Sequence, residues 1–317
     1  MTDKTVLMTG SSGYLGRALC RRLVDVDWCE RIIGVDLALP PERCDRLSFH
    51  HREINDPGLA AWMQDVRPDV LVHLAFIVTP MHNAQAQWEI NVEGTRNVLR
   101  AASAAQVPQV MVASSGTAYG AWPDNPVPLR ETDPIRPSGF SYADEKAELE
   151  QECARFAQDH PDVVLSVIRP CVVYGPNVRN YLSDLLTALP IPVALSGQLP
   201  PLQFVHESDV AAAMIKILET RAEGAFNIAP PDTMTLDEVL ELVGRQGLLL
   251  PERVLFPLFG LLWKLRVPFP HAPPSFLDFM RYPWVLDSQK LRDLGFTFQY
   301  SSRDTLSSML RAKGRGG

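Results

Sequence analysis

Three observations predict an α/β fold built on a doubly wound parallel sheet. Short apolar runs alternate with longer helical patterns along the chain. Those runs are apolar throughout rather than at every second residue, which suits parallel strands covered on both faces. The first run opens into a glycine-spaced turn, "TGSSGYLG", just ahead of a helical stretch. With 317 residues, the chain is long enough for one large α/β domain plus a smaller lobe. The expected fold class is a Rossmann-type doubly wound parallel sheet with a smaller C-terminal substrate-binding lobe.

The elements follow in order. Residues 5–9 read as the first strand and 15–24 as the helix after it. Strands are expected at 32–36, 70–75, 110–113 and 163–168, and helices at 59–66, 84–105 and 142–160. Beyond Arg169 the pattern loosens. A strand and helix return at 204–218 and a strand at 225–228, and the remainder is rich in proline. This divides the chain into a nucleotide-binding domain, 1–176 plus 202–229, and a substrate lobe, 177–201 plus 230–317.

Composition narrows the function. A formal charge of -7 offers no electrostatic attraction to nucleic acid. The five cysteines form no CxxC pair and no metal-ligand spacing, so no metal site is expected. They read as buried thiols of a reducing cytoplasm rather than a disulfide framework. No basic-then-apolar leader precedes the first strand. The most apolar stretch, "VLFPLFGLLW" at 254–263, is too short to span a bilayer and is broken by Pro257 and Gly260. A cytoplasmic protein without membrane association is expected.

Gly10, Gly13 and Gly16 follow a strand and open a helix. In that setting Gly10 permits a tight turn, Gly13 lets backbone approach a pyrophosphate, and Gly16 lets helix and strand pack closely. Phosphates would sit at the helix N-terminus, where free N–H groups and the helix dipole favour negative charge. Tyr14 and Leu15 belong to the same turn. Asp36, ending the second strand twenty residues later, could accept both hydroxyls of an adenine ribose and would repel a 2′-phosphate. By itself it could be a solvated strand-end acid; with the glycines it favours NAD over NADP.

The chemistry is suggested by "SYADEK". Tyr142 and Lys146 stand four apart at the start of a helix, on one face. A neighbouring ammonium favours the phenolate and lowers the tyrosine pKa from its usual value near 10. Such a pair can take a proton from an alcohol or return it to a carbonyl. Ser114 and Ser115 end the strand at 110–113, at the carboxyl edge where ligands bind open α/β sheets.

These segments together resemble the extended short-chain dehydrogenase/reductases of the NAD-dependent epimerase/dehydratase family. The resemblance runs through "TGSSGYLG", "VHLAF", "NVEGT", "SSGTAYG", "YADEK", "RPCVVYGP" and "FVHESDVA", over nearly the whole length. It implies a catalytic set of Ser115 to hold the substrate oxygen, Tyr142 to move the proton, and Lys146 to bind the nicotinamide ribose and tune Tyr142. It places Asn91 in the active-site framework. Glu53 and Ile54 fall where the family often has Asp-Ile against the adenine, the glutamate being a departure. Leu74, Ala75 and Ala113 would line the cofactor, with Pro170 and Val173 at the nicotinamide. Thr117, Asn177 and His206 are candidates for the substrate side, His206 having a structural hydrogen bond as its other reading. The helices at 84–105 and 142–160 match those that build a homodimer in the family.

Two further departures touch the substrate. The family often has Asn where this chain has Val172, and Arg where it has Leu202; both commonly hold a diphosphate, and Val and Leu offer no donor. Arg179 and Arg281 are the candidates to compensate. The apolar side chains at Leu255, Phe256, Leu258, Phe259, Leu261, Leu262, Trp263, Phe269, Phe276 and Phe279 are expected to form the lobe's core, some of them lining an apolar pocket. The expected function is NAD-dependent hydride transfer at a secondary alcohol or ketone carbon. The alternatives are a nucleotide-sugar epimerase with transient oxidation and a catalytically idle NAD-binding regulator. Among other candidates, His73 reads as a packed core histidine, Asp209 as a helix cap, and "DEKAELEQE" as a solvent face.

Overall fold

The computed structural model describes residues 3–187, 192–267 and 272–314. Its centre is a seven-stranded parallel sheet formed by β1 (Lys4–Thr9), β2 (Cys29–Asp36), β3 (Leu47–His51), β4 (Val70–His73), β5 (Gln109–Ala113), β6 (Val164–Pro170) and β10 (Gly224–Ile228). The spatial order is β10-β6-β5-β4-β1-β2-β3. The winding therefore reverses at β1, which pairs with β2 on one side and β4 on the other. That reversal opens a crevice at the carboxyl ends of β1 and β4, the place where such sheets bind ligands. The doubly wound expectation holds. The strand β3 was not foreseen, because "LSFHH" is half polar and sits on the sheet edge, half-buried.

Alternating side chains of β1 feed two cores. Val6 and Met8 join a cluster with Leu19 and Leu23 of α1 (Tyr14–Leu23) and Met214 and Ile217 of α7 (Glu207–Thr220). Leu7 joins the opposite cluster with Met63 of α2 (Leu59–Val66), Val98 of α4 (Gly94–Ala104) and Leu149 and Phe156 of α5 (Ser141–Asp159). Ahead of α4, α3 (Ala84–Trp88) runs into a π-helical turn, Glu89–Glu93, making one continuous rod.

The rest is built from short pieces. β7 (Val172–Tyr174) pairs with β9 (Phe204–His206), and β8 (Val193–Leu195) pairs with β11 (Leu248–Leu250). Around them lie α6 (Tyr181–Thr187), α8 (Leu236–Val243), α9 (Glu252–Lys264), α10 (Asp278–Arg281), α11 (Gln289–Asp293) and α12 (Ser302–Ala312). A small core joins Phe140, Tyr181, Leu255, Phe259, Phe276 and Phe279.

Several expectations need correction. Cys20 and Cys44 form a disulfide, because the loop after β2 folds back over α1; Cys29, Cys153 and Cys171 are buried free thiols. The acid-rich start of α5 is not a solvent face: Glu145, Lys146 and Glu150 are all buried. Asp209 does not cap α7. Its carboxylate lies inside the fold and accepts the N–H groups of Gln299 and Tyr300, while His206 caps the helix by accepting the N–H of Ser208 at 3.1 Å. Leu258 and Leu261 are exposed rather than in the lobe's core. Phe269 lies outside the described residues.

Candidate active site

The glycine turn is shaped by close backbone approach. Gly10 has φ of +71°, and a Cβ there would sit 2.6 Å from the amide nitrogen of Ala75. A Cβ on Gly16 would collide with the Gly10 carbonyl. At Gly13 the only crowding is the Gly10 carbonyl oxygen at 3.1 Å, so the turn stays open on its ligand side. The N-terminus of α1 carries no side-chain cap and no acid in its first turn. Its free N–H groups are left for an anion. Asp36 is held by the glycine turn and by its own loop: Oδ2 accepts from Ser12 N at 2.9 Å, and Oδ1 accepts from Leu37 N and Ala38 N at 2.7 and 3.1 Å.

Two cavities meet at Gly10, Gly13, Leu74 and Phe76. One, of ≈450 Å³, runs past Asp36, Glu53, Ile54 and Ala75. The other, of ≈390 Å³, runs past Tyr14, Leu15 and Gly16 to Ala113, Ser115, Tyr142 and Lys146, with Pro170 and Val173 on its wall. Thr117 lines it too, donating to Ser115 Oγ at 2.9 Å. A bent dinucleotide fits this pair: an acid that matches ribose hydroxyls at one end, a glycine cradle and a free helix end in the middle, and a tyrosine–lysine pair at the other.

Three of the predicted residues lie elsewhere. Asn91 lines neither cavity. It sits in the π-helical turn, accepts from Ile77 N at 2.7 Å and donates to Glu145 at 2.6 Å, so it fixes the loop that carries Phe76 and Ile77. The Asn177 amide is taken up by Glu207. His206 is the cap of α7 and stacks on Tyr300 at 3.8 Å. His73 bridges Thr9 and Thr95 inside the core, and burial pushes its pKa down to about 3.

The electrostatics differ from the sequence expectation. Burial pushes the Tyr142 phenol up to about 12, against a lowering pull from Ser115. Burial pulls Lys146 down to about 7, offset in part by Glu150. The ammonium donates to the Ala113 carbonyl at 2.6 Å and lies 3.3 Å from the centre of the Phe76 ring, with the centre of the Tyr142 ring farther off at 5.9 Å. Burial is the largest influence on both groups, and it opposes the charged form of each. Tyr142 does stand in the first turn of α5, where the helix dipole favours a phenolate.

Sequence reasoning missed the ion pair beneath the site. Arg169 donates to both oxygens of Glu150, at 2.8 and 2.5 Å, and to Tyr119 at 2.6 Å; Ser114 donates to Glu150 at 2.5 Å. This buried network ties the ends of β5 and β6 to α5 and so sets where Ser115 sits. It also missed Phe76, Phe140, Tyr181 and Trp284 in the cavity wall. The signal for Phe76 was present: "VHLAF" ends on an aromatic just past a strand.

The sequence profile of the NAD dependent epimerase/dehydratase family matches residues 6–229. The chain belongs to this family. It is therefore an NAD-dependent enzyme working at a CH–OH carbon, and its cofactor is NAD. The enzyme is 25% identical over 320 residues to an uncharacterised protein of Mycobacterium tuberculosis, covering 98% of this chain and 84% of the relative. It is 24% identical over 335 residues to dihydroflavonol 4-reductase of Zea mays, covering 95% and 86%. Among solved structures, UDP-glucose 4-epimerase of Thermus thermophilus in complex with NAD superposes with a TM-score of 0.75 at 22% identity, covering 97% and 98%.

Proposed function

We propose that the enzyme interconverts a secondary alcohol and its ketone in an apolar pocket, with Tyr142 as the acid/base. The observation that carries this is the position of Tyr142 and Ser115 together in the cavity that continues from the glycine turn. NAD, when bound, supplies a two-electron hydride acceptor or donor. Ser115 holds the substrate oxygen; Tyr142 takes the hydroxyl proton on oxidation and returns it on reduction. Lys146 holds the nicotinamide ribose. Residues 1–176 plus 202–229 bind NAD, and 177–201 plus 230–317 shape the substrate pocket.

The pocket supports a substrate less polar than a nucleotide sugar. Phe76, Phe140, Tyr181, Phe276, Phe279 and Trp284 face it. Val172 and Leu202, where relatives place diphosphate ligands, pack in a small apolar cluster. Arg281 is engaged by Glu252 at 3.0 Å. Arg179 alone of the two candidate arginines lines the cavity, exposed at its mouth.

A nucleotide-sugar epimerase is the second reading, and the fold of the Thermus enzyme supports it. NADH absorbance together with chromatography of the products, across a panel of secondary alcohols and sugar nucleotides and with Tyr142→Phe as control, separates the two. Apolar alcohols are expected to reduce NAD. Conversion of a sugar nucleotide into its epimer with no net NADH, and no oxidation of apolar alcohols, would establish the second reading. A homodimer through the α4 and α5 face and a cytoplasmic location belong to the same proposal. On that face Arg96 joins Glu93, Glu148 and Glu152 in one charged cluster.

A further inference from the structure

Eleven large apolar side chains are exposed among the described residues, and seven of them fall between Leu248 and Val267. Val254, Leu258, Leu261 and Leu265 follow one another at spacings of four, three and four, which puts them on one stripe of α9 and its C-cap. They keep 45, 39, 54 and 64% of their surface in water. Leu248 and Leu249 of β11, just ahead of α9 in the chain, are exposed as well. The opposite face holds the helix in place: Leu255 and Phe259 are buried with Phe276 and Phe279, and Trp263 packs on His82 at 3.9 Å.

Charge says what covers this stripe. The chain as a whole carries -7, yet the stretch 248–267 has Arg253, Lys264 and Arg266 against one acid, Glu252. Glu252 is engaged by Arg281. The three cations are exposed and make no ion pair or hydrogen bond among the described residues. An apolar ridge edged by free cations, on an otherwise acidic protein, matches an anionic bilayer surface. A second copy of this chain would bring the same three cations against each other.

We propose that α9 is a peripheral membrane-docking helix, lying in the plane of an anionic bilayer with Val254, Leu258, Leu261 and Leu265 inserted and Arg253, Lys264 and Arg266 at the headgroups. This reverses the expectation of no membrane association. Phe276 and Phe279, which brace the inner face of α9, also line the ≈390 Å³ cavity, so docking brings that cavity close to the bilayer.

The test is flotation of the full chain with phosphatidylcholine vesicles, with and without about a third phosphatidylglycerol, at low and high salt. The wild type floats with the anionic vesicles, and salt weakens this. Leu258→Glu/Leu261→Glu, and separately Arg253→Ala/Lys264→Ala/Arg266→Ala, lower partitioning by at least about tenfold. NAD binding, measured in parallel, is unchanged in both, which shows that the variants fold and keeps this outcome independent of the enzymatic reading. Wild type that stays unbound with anionic vesicles overturns the proposal, as do variants that float as well as wild type. An oligomer lost on Leu258→Glu/Leu261→Glu, in a wild type that ignores vesicles, assigns the stripe to a second copy instead.

Discussion

The ammonium of Lys146 lies 3.3 Å from the centre of the Phe76 ring, against 5.9 Å for the Tyr142 ring, and donates to the Ala113 carbonyl. Phe76 therefore sets the environment of the lysine. A cation on a ring face gains some attraction, but loss of water dominates here and pulls Lys146 down to about 7. Phe76→Ala admits water to the ammonium, and the Lys146 pKa is expected to rise toward the ordinary 10.5, read by NMR titration of the side chain. A pKa that stays near 7 would show that Phe76 is not the cause.

The same depression makes stability depend on pH. The unfolded chain takes up the lysine proton at the ordinary 10.5, the folded one only near 7. Between those values the unfolded state binds more protons, so stability rises with pH. The three buried free thiols, held protonated in the fold but titrating near 8.5 once unfolded, oppose this increasingly above about pH 7.5. Without NAD, the urea midpoint is expected to climb from pH 7 to about 7.5 in the wild type. In Lys146→Met the climb from this group is absent, and equal slopes in the two proteins would contradict the assignment.

Tyr142 sits at about 12 in the protein alone, so its phenol stays protonated at neutral pH. A general base must lose that proton, so oxidation is expected to speed up as pH rises through whatever lower value the loaded site gives it. Tyr142→Phe lowers kcat by at least about a hundredfold and removes that rise. Ultraviolet difference titration against Tyr142→Phe, without NAD, is expected to show no phenolate from this residue below pH 11.

Gly10→Ala puts a methyl group into the Ala75 backbone at a φ of +71°. The expected cost is about 1–3 kcal/mol of strain, or loss of NAD binding if the turn moves instead. Calorimetric titration with NAD and a thermal melt distinguish the two. Asp36→Ala, which removes the carboxylate facing the adenine-side cavity, is expected to weaken NAD binding and narrow the preference over NADP.

Glu150→Ala leaves the Arg169 guanidinium buried without its carboxylate. Breaking a buried pair from one side costs about 3–5 kcal/mol, more than the pair contributes as a whole. Urea unfolding of Glu150→Ala measures it, and the joint replacement Glu150→Met/Arg169→Met is expected to recover much of the loss.

Local sequence determined the sheet, the glycine turn and the tyrosine–lysine helix. Buried parallel strands must be apolar on both faces, a crowded turn must be glycine, and an i, i+4 pair shares a helix face, so each leaves its mark within a few residues. Only the tertiary structure decided where those groups point. Lys146 faces Phe76, seventy residues away; Glu150 meets Arg169; Cys20 meets Cys44. None of these pairings has a period in the chain. Burial decided the rest, since the water lost around a side chain depends on every element packed against it. The same holds for α9: its apolar residues read as core, and the fold had room beneath it for only one face.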